Sequence, residues 1–237
     1  MEISLLGLAV APGAAIALYV YFRDKYEKEP LSLLLKTFFA GFFVVIIAAM
    51  AETMLMELFP TDNTRVGSTI LNTFVFIGLT EELCKYICLY LIAYSKSDFN
   101  EPFDGIVYAV MVSMGFATSE NIMYVMDGGM QVALIRIFTA LPAHATFGVM
   151  MGYFVGLAKF KNHDIGLLLI GLGTATFFHG LYDFFLTINS MELLALGAFV
   201  SLLVGLRFSF KAMRLLSENS PFRYSTIILG QKQMDRQ

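Results

Sequence analysis

Two adjacent glutamates, Glu81 and Glu82, lie in the middle of a long apolar stretch of the sequence, and Lys85 follows them. A charged side chain near the centre of a bilayer costs about 3 kcal/mol on insertion scales, so such residues are candidates for function. On a helix Glu81 and Lys85 share one face, whereas Glu82 is turned from Glu81 by about 100°. The spacing predicts that Lys85 neutralises Glu81 and leaves Glu82 for another neighbour.

Three later apolar stretches carry further polar and ionisable side chains. They are Glu120 and Asn121 in the first, Arg136 and His144 in the second, and His179 and Asp183 in the third. His179 and Asp183 are four residues apart, so the carboxylate can fix the orientation of the imidazole. Four successive apolar segments therefore contribute to one predicted cluster of carboxylates and imidazoles.

The residue types in this cluster restrict the chemistry. No Gly-x-Ser-x-Gly or His-Glu-x-x-His motif is present, and only one aspartate lies deep in an apolar segment. What remains is hydrolysis by water that a carboxylate activates, with histidines stabilising the oxyanion. No cofactor is expected, although a divalent metal such as zinc, held by Glu and His side chains, stays open. A proton-coupled carrier or a non-catalytic scaffold built on the same charges is the alternative.

Composition indicates a membrane protein. Hydrophobic residues make up 57% of the 237 residues and charged residues 15%, and the mean hydropathy is +0.70. The absence of a basic stripe with interleaved aromatics argues against a nucleic-acid partner. We expect one all-α membrane domain over 1–237, with the lipid bilayer as its main environment. About seven apolar segments reach the length that a bilayer requires: 3–22, 31–59, 67–94, 103–127, 130–158, 165–188 and 192–213.

The distribution of basic residues predicts the orientation of this helix bundle. Lysines and arginines concentrate in alternate connections and in the C-terminal part, beginning with Arg23, Lys25 and Lys28, whereas the opposite connections contain only Arg65. By the positive-inside rule the N-terminus lies outside and the C-terminus in the cytoplasm, with 214–237 as a cytoplasmic tail.

Depth along the predicted spans gives the side of access. Glu81, Glu82 and His144 fall near mid-membrane, whereas Glu120, His179 and Asp183 fall in the outer half. The cavity is therefore expected to open outward, toward a bond near the extracytoplasmic end of a substrate.

The order of these motifs resembles that of a known family. Glu81-Glu82-x-x-Lys85, Phe116-x-x-x-Glu120-Asn121, His144 and His179-x-x-x-Asp183 resemble the PrsW family of intramembrane proteases, distant relatives of the CAAX prenyl-protein proteases. The resemblance covers the segments within 67–188. One departure from the CAAX relatives is Glu120, which stands where their second motif typically ends in His.

The resemblance implies a function and a set of residues. The function is an endopeptidase of the bacterial plasma membrane, of glutamic type, that makes the first cut in a membrane-tethered anti-sigma factor. The implied catalytic residues are Glu81, Glu82, Glu120, His144, His179 and Asp183, with Lys85 and Asn121 in support. If a metal is bound, its predicted ligands are Glu81, Glu120, His144 and His179.

Overall fold

The fold is known from a computed structural model that describes residues 3–188 and 192–223, and all regular elements within those ranges are helices. The α-helices are α1 (Ile3–Arg23), α2 (Leu31–Leu58), α3 (Val66–Ile70), α4 (Thr80–Leu89), α5 (Pro102–Phe138), α6 (Ala140–Phe160), α7 (Ile165–Thr187) and α8 (Glu192–Glu218). Two π-helical segments, Leu71–Leu79 and Tyr90–Tyr94, join α3 to α4 and extend α4. The all-α prediction is therefore confirmed for the described part of the chain.

Five helical stretches of the described residues are long and apolar enough to cross a membrane. One of the five, Pro102–Phe160, contains both α5 and α6. The helical run from Val66 to Tyr94 is divided by its π-helical segments and is not among the five. The count of seven spans and the orientation stay predictions. In the predicted tail α8 continues to Glu218, and residues 224–237 lie outside the described residues.

Helix α5 is the centre of the bundle. All its residues from Phe103 to Thr118 are buried, and it packs against α1, α2 and α6. Glycines allow the backbones to approach: a Cβ on Gly41 or Gly115 would collide with backbone across the α2–α5 contact, and one on Gly152 would meet Gly105 across the α5–α6 contact. Small residues at helix interfaces are typical of membrane bundles, in which close packing stabilises association.

The boundary between α5 and α6 differs from the prediction of a span over 130–158. Gly129 has a left-handed φ of 66° and kinks the chain, but helical structure resumes and continues to Phe138 before α6 begins at Ala140. Pro142 explains the later start. It lies in the first turn of α6, where an amide N–H has no helical partner and proline is tolerated.

The π-helical segment Leu71–Leu79 brings the glutamate-bearing helix α4 close to α7. Gly78 packs so tightly on α7 that an added Cβ would lie 3.2 Å from the backbone nitrogen of Gly180. Gly180 in turn leaves no room for a side chain beside Phe74. These contacts place the start of α4 next to His179 on α7, and π-turns within helices are frequent at functional sites.

Candidate active site

Helix α4 contributes a buried group of three charged side chains. Glu81 is 6% exposed, Glu82 0% and Lys85 2%. The Nζ atom of Lys85 donates to Oε2 of Glu81 at 3.0 Å and to Oε1 of Glu82 at 2.8 Å. The prediction that Lys85 pairs with only one glutamate is therefore wrong, because residues three and four positions away are both within reach on a helix.

Helix α7 adds His179, which lies among three carboxylates. Its Nδ1 atom is 2.9 Å from Oε1 of Glu82, and its Nε2 atom is 3.3 Å from Oδ2 of Asp183 and 3.8 Å from Oε2 of Glu81. The predicted pairing of His179 with Asp183 is confirmed. A ring held at both nitrogens has a fixed orientation, which is what a group acting on substrate requires.

Helix α6 contributes His144 from its second turn. Nδ1 of His144 lies 3.2 Å from Nζ of Lys85, and Nε2 lies 2.9 Å from Oε2 of Glu120 on α5. The ring centroids of His144 and His179 are 5.2 Å apart. We call Glu81, Glu82, Lys85, Glu120, His144, His179 and Asp183 the active-site cluster.

Arg136 closes the α5 side of this cluster. It donates to Oε2 of Glu120 and to Oδ1 of Asn121, both at 2.9 Å. The kink at Gly129 turns this part of α5 back toward Glu120. The Nδ2 atom of Asn121 donates to the carbonyl of Ala9 at 2.9 Å, so Asn121 ties the site to α1.

A cavity of about 500 Å³ opens beside the cluster. Five of the predicted catalytic residues line it: Glu81, Glu120, His144, His179 and Asp183. Glu82, Lys85 and Asn121 lie behind this layer and do not line the cavity. The carboxylates that face the cavity are thus distinct from the buried Glu82, Lys85 and Asn121 behind them.

Sequence reasoning missed one carboxylate in the cavity wall. Glu52, half-buried on α2, lines the cavity with the predicted residues. The signal was the same one that identified Glu81, a charged residue inside an apolar helix. This signal alone did not single out Glu52, because none of the four motifs of the sequence analysis lies on α2.

The site contains ligand atoms of the kinds that bind a divalent metal, and a bound metal would have to displace the ammonium group of Lys85, which lies 2.8–3.2 Å from atoms of Glu81, Glu82 and His144. One atom each from Glu81, Glu82, His144 and His179 lies within 4.8 Å of all the others. Two carboxylates and two imidazoles suit zinc, and Oε2 of Glu82 is buried without a hydrogen-bond partner among the described residues. The predicted metal set named Glu120 in place of Glu82. The structure instead brings Glu82 into the group, while Oε2 of Glu120 contacts His144 and Arg136.

Known proteins resemble this chain over most of its length. The family model described as "PrsW family intramembrane metalloprotease" matches residues 29–208. The chain belongs to the PrsW family. Protease PrsW of Geobacillus kaustophilus is 38% identical over 184 residues, which cover 77% of this chain and 80% of that protein. Protease PrsW of Bacillus subtilis is 34% identical over 186 residues, covering 78% and 83%. No solved structure matches the chain.

Membership in the PrsW family decides between the alternatives that the sequence left open. The protein is an intramembrane protease, and with its five apolar helical stretches a multi-pass membrane protein, rather than a carrier or a scaffold. The relatives are bacterial. The family description is that of a metalloprotease, and the active-site cluster contains side chains that could hold a metal ion.

Proposed function

We propose that this PrsW-family protease, in a bacterial plasma membrane, hydrolyses a peptide bond near the extracytoplasmic side of a membrane-tethered substrate, an anti-sigma factor. The observation that carries the proposal is a single cavity lined by carboxylates and imidazoles from α4, α5, α6 and α7. Peptide hydrolysis needs a base for water and a group that stabilises the oxyanion within one site.

Glu81 is the proposed base. It faces the cavity, whereas Glu82 is fully buried behind it and contacts Lys85 and His179. Water that enters the cavity therefore meets the Glu81 carboxylate and not that of Glu82. Glu81 accepts the proton of the attacking water and returns it to the leaving amine.

Glu82, His144 and His179 are the proposed metal ligands. Three protein ligands with one position left for water or substrate are typical of catalytic zinc sites. When bound, the metal supplies Lewis acidity to the scissile carbonyl and to the attacking water. Glu81 then remains free as the base, within 4.8 Å of the ligand atoms of the other three residues.

The remaining members of the cluster position these groups. Asp183 holds His179 through Nε2, and Glu120 holds His144 through Nε2. Such partners fix the orientation of a ligand or catalytic imidazole. Lys85 and Arg136 balance the charge of the carboxylates.

The extracytoplasmic cut is supported by the predicted orientation. Under that orientation the residues that line the cavity lie from mid-membrane outward. A single-span anti-sigma factor would then present its outer juxtamembrane segment to the cavity while its own helix stays in the bilayer.

The test is cleavage by the purified full-length protein in liposomes that contain a tagged anti-sigma factor. We compare wild type with Glu81→Gln, Glu82→Gln and His179→Ala, each with and without a chelator and with zinc restored. Wild type is expected to release the outer fragment, and the three variants to lose this cleavage. Chelation is expected to stop the wild-type reaction and zinc to restore it.

Glu57→Gln is the matched control, because Glu57 is an exposed glutamate on α2 that does not line the cavity. It is expected to cleave at the wild-type rate. Equal cleavage by wild type, Glu81→Gln and His179→Ala would contradict the proposed site. Full activity after chelation would contradict the metal while leaving Glu81 as the base. Wild-type cleavage of an unrelated single-span protein, but not of the anti-sigma factor, would contradict only the substrate.

A further inference from the structure

A second group of carboxylates lies far from the active-site cluster. Asp24 and Glu29 belong to the connection between α1 and α2, and Asp104 belongs to the first turn of α5. One oxygen from each lies within 4.8 Å of the other two. We call these three residues the acidic cluster. Along α5, Asp104 and Glu120 are separated by about 24 Å at 1.5 Å per residue.

The acidic cluster is buried although two of its members are in a connection. Asp24 is 2% exposed, Glu29 3% and Asp104 0%. Oδ2 of Asp104 accepts hydrogen bonds from the backbone N–H groups of Asn100 and Glu101, each at 2.7 Å. The chain before α5 is thereby fixed around the cluster, and Asp104 keeps Oδ1 free for another partner.

Several oxygens of the cluster lack a hydrogen-bond donor. Among the described residues none donates to Oδ2 of Asp24, to either oxygen of Glu29 or to Oδ1 of Asp104. Buried polar atoms in folded proteins are nearly always partnered. The buried oxygens therefore require a partner that is either a carboxyl proton, such as one shared between Glu29 and Asp104, or a bound cation.

Two lysines near the acidic cluster, Lys28 and Lys159, do not fill this role. Lys28 directs its ammonium group to the carbonyls of Tyr21 and Asp24 and over the ring of Tyr21. Lys159 donates to the carbonyl of Lys96 at 2.9 Å and lies 4.3 Å from the ring centroid of Phe99. No ion pair joins any described basic side chain to the acidic cluster, in contrast to Lys85 and Arg136 at the active site.

Electrostatics disfavours three buried carboxylates without a counter-charge. Burial, with the charge of Asp104 beside it, raises the pKa of Asp24 to about 7. Burial and the same neighbour also raise the pKa of Glu29. The cluster must therefore hold either protons or a cation, since isolated buried charges are costly.

We propose that Asp24, Glu29 and Asp104 bind one hard divalent cation, Mg²⁺ or Ca²⁺, which ties the α1–α2 connection to the start of α5. An all-oxygen ligand set selects hard cations, whereas the histidines of the active-site cluster suit zinc. The site is independent of the proposed catalytic mechanism.

The experiment uses the purified full-length protein in detergent micelles, stripped of metal with a chelator and then dialysed. Thermal unfolding is followed by circular dichroism while MgCl₂ or CaCl₂ is added, and binding is measured in parallel by calorimetry. A cation at 100-fold its Kd is expected to raise the Tm by about 5–10 °C. Calorimetry is expected to give one site per chain, and the two salts show which cation binds more tightly.

Two variants show which of the two clusters binds the cation that raises the Tm. Glu29→Gln removes one charge from the acidic cluster and is expected to abolish both the Tm shift and the calorimetric signal. His179→Ala alters only the active-site cluster and is expected to keep both. Because Gln removes a buried charge without changing the size of the side chain, Glu29→Gln should fold.

Three results would overturn the proposal. The first is a wild-type Tm that does not respond to either salt at millimolar concentration, which would mean that protons occupy the cluster. The second is a response that persists in Glu29→Gln. The third is a response that disappears in His179→Ala, which would assign the cation to the active site.

Discussion

Helix α5 contributes one carboxylate to each of two clusters, which lie at different positions along the helix. The two clusters differ in how their negative charge is balanced. Near the start of α5, Asp104 joins Asp24 and Glu29, with no ion pair to a basic side chain of the described residues. Further along, Glu120 belongs to a cluster in which Lys85 and Arg136 each lie 3.0 Å or less from a carboxylate oxygen. Protein cations thus balance one cluster, and the other depends on a partner from solution.

The ligand types also separate the two clusters. Imidazoles alternate with carboxylates at the active-site cluster, where His179 lies between Glu82 and Asp183. The acidic cluster offers only oxygens. Imidazole and carboxylate ligands together suit zinc, while an all-oxygen set suits Mg²⁺ or Ca²⁺. Buried charge alone therefore does not identify a catalytic site. The side chains around the buried carboxylates, imidazoles in one cluster and only carboxylates in the other, distinguish the two.

The largest expected effect comes from Glu81→Gln. Loss of a general base lowers rates by about 10²–10⁴-fold, and Gln keeps the size of the side chain. We expect cleavage of the reconstituted substrate to fall by that factor while the Tm changes little. A folded Glu81→Gln protein that cleaves at the wild-type rate would contradict the catalytic role, and circular dichroism of the same sample shows whether the variant is folded.

The sequence predicted which side chains meet in this cluster, for a physical reason. Charged residues inside apolar helices are rare, so Glu81, Glu120, His144 and His179 were identifiable without knowing how the helices pack. The contacts between them were harder to predict. Lys85 reaches both glutamates of α4, and Arg136 reaches Glu120 only because α5 kinks at Gly129.

The acidic cluster could not be predicted from the sequence. Asp24 and Glu29 lie in a short hydrophilic connection, where charged side chains are ordinarily solvated. Their burial depends on packing against the start of α5, a contact between segments some 80 residues apart in sequence. Local pattern carries no information on such a contact.

The next effect tests the claim that a protein cation balances the active-site cluster. Lys85→Met removes an ammonium group that is 2% exposed and pairs with Glu81 and Glu82. Removing one partner of a buried pair costs about 3–5 kcal/mol because the other charge is left uncompensated. We expect a clearly lower Tm for the metal-free protein, measured by circular dichroism because the chain has no Trp.

Addition of zinc gives a second test of the same charge balance. A metal bound at Glu82, His144 and His179 would replace part of the lost positive charge, so the Tm of Lys85→Met should rise on addition of zinc by more than that of wild type. An unchanged Tm in metal-free Lys85→Met would mean that the glutamates are neutral there and would remove the contrast between the clusters.

A smaller effect is expected at Asp183, which contacts His179 but is not a proposed ligand or base. Loss of such a positioning partner typically lowers activity or metal affinity by 10–100-fold. Asp183→Asn should therefore retain measurable cleavage and require more zinc for half-maximal rate. A rate loss that equals that of Glu81→Gln, at saturating zinc, would show that Asp183 acts on substrate directly.

The smallest effect is expected for Lys28→Met, the counterpart of Lys85→Met at the acidic cluster. Lys28 is exposed and donates to backbone carbonyls instead of carboxylates. Since exposed contacts of this kind contribute little, the loss of stability should be below about 1 kcal/mol, and the response of the Tm to Mg²⁺ or Ca²⁺ should be unchanged. A loss as large as that of Lys85→Met, together with a vanished cation response, would mean that Lys28 balances the acidic cluster. The two clusters would then be neutralised in the same way, because each would depend on a lysine of its own chain.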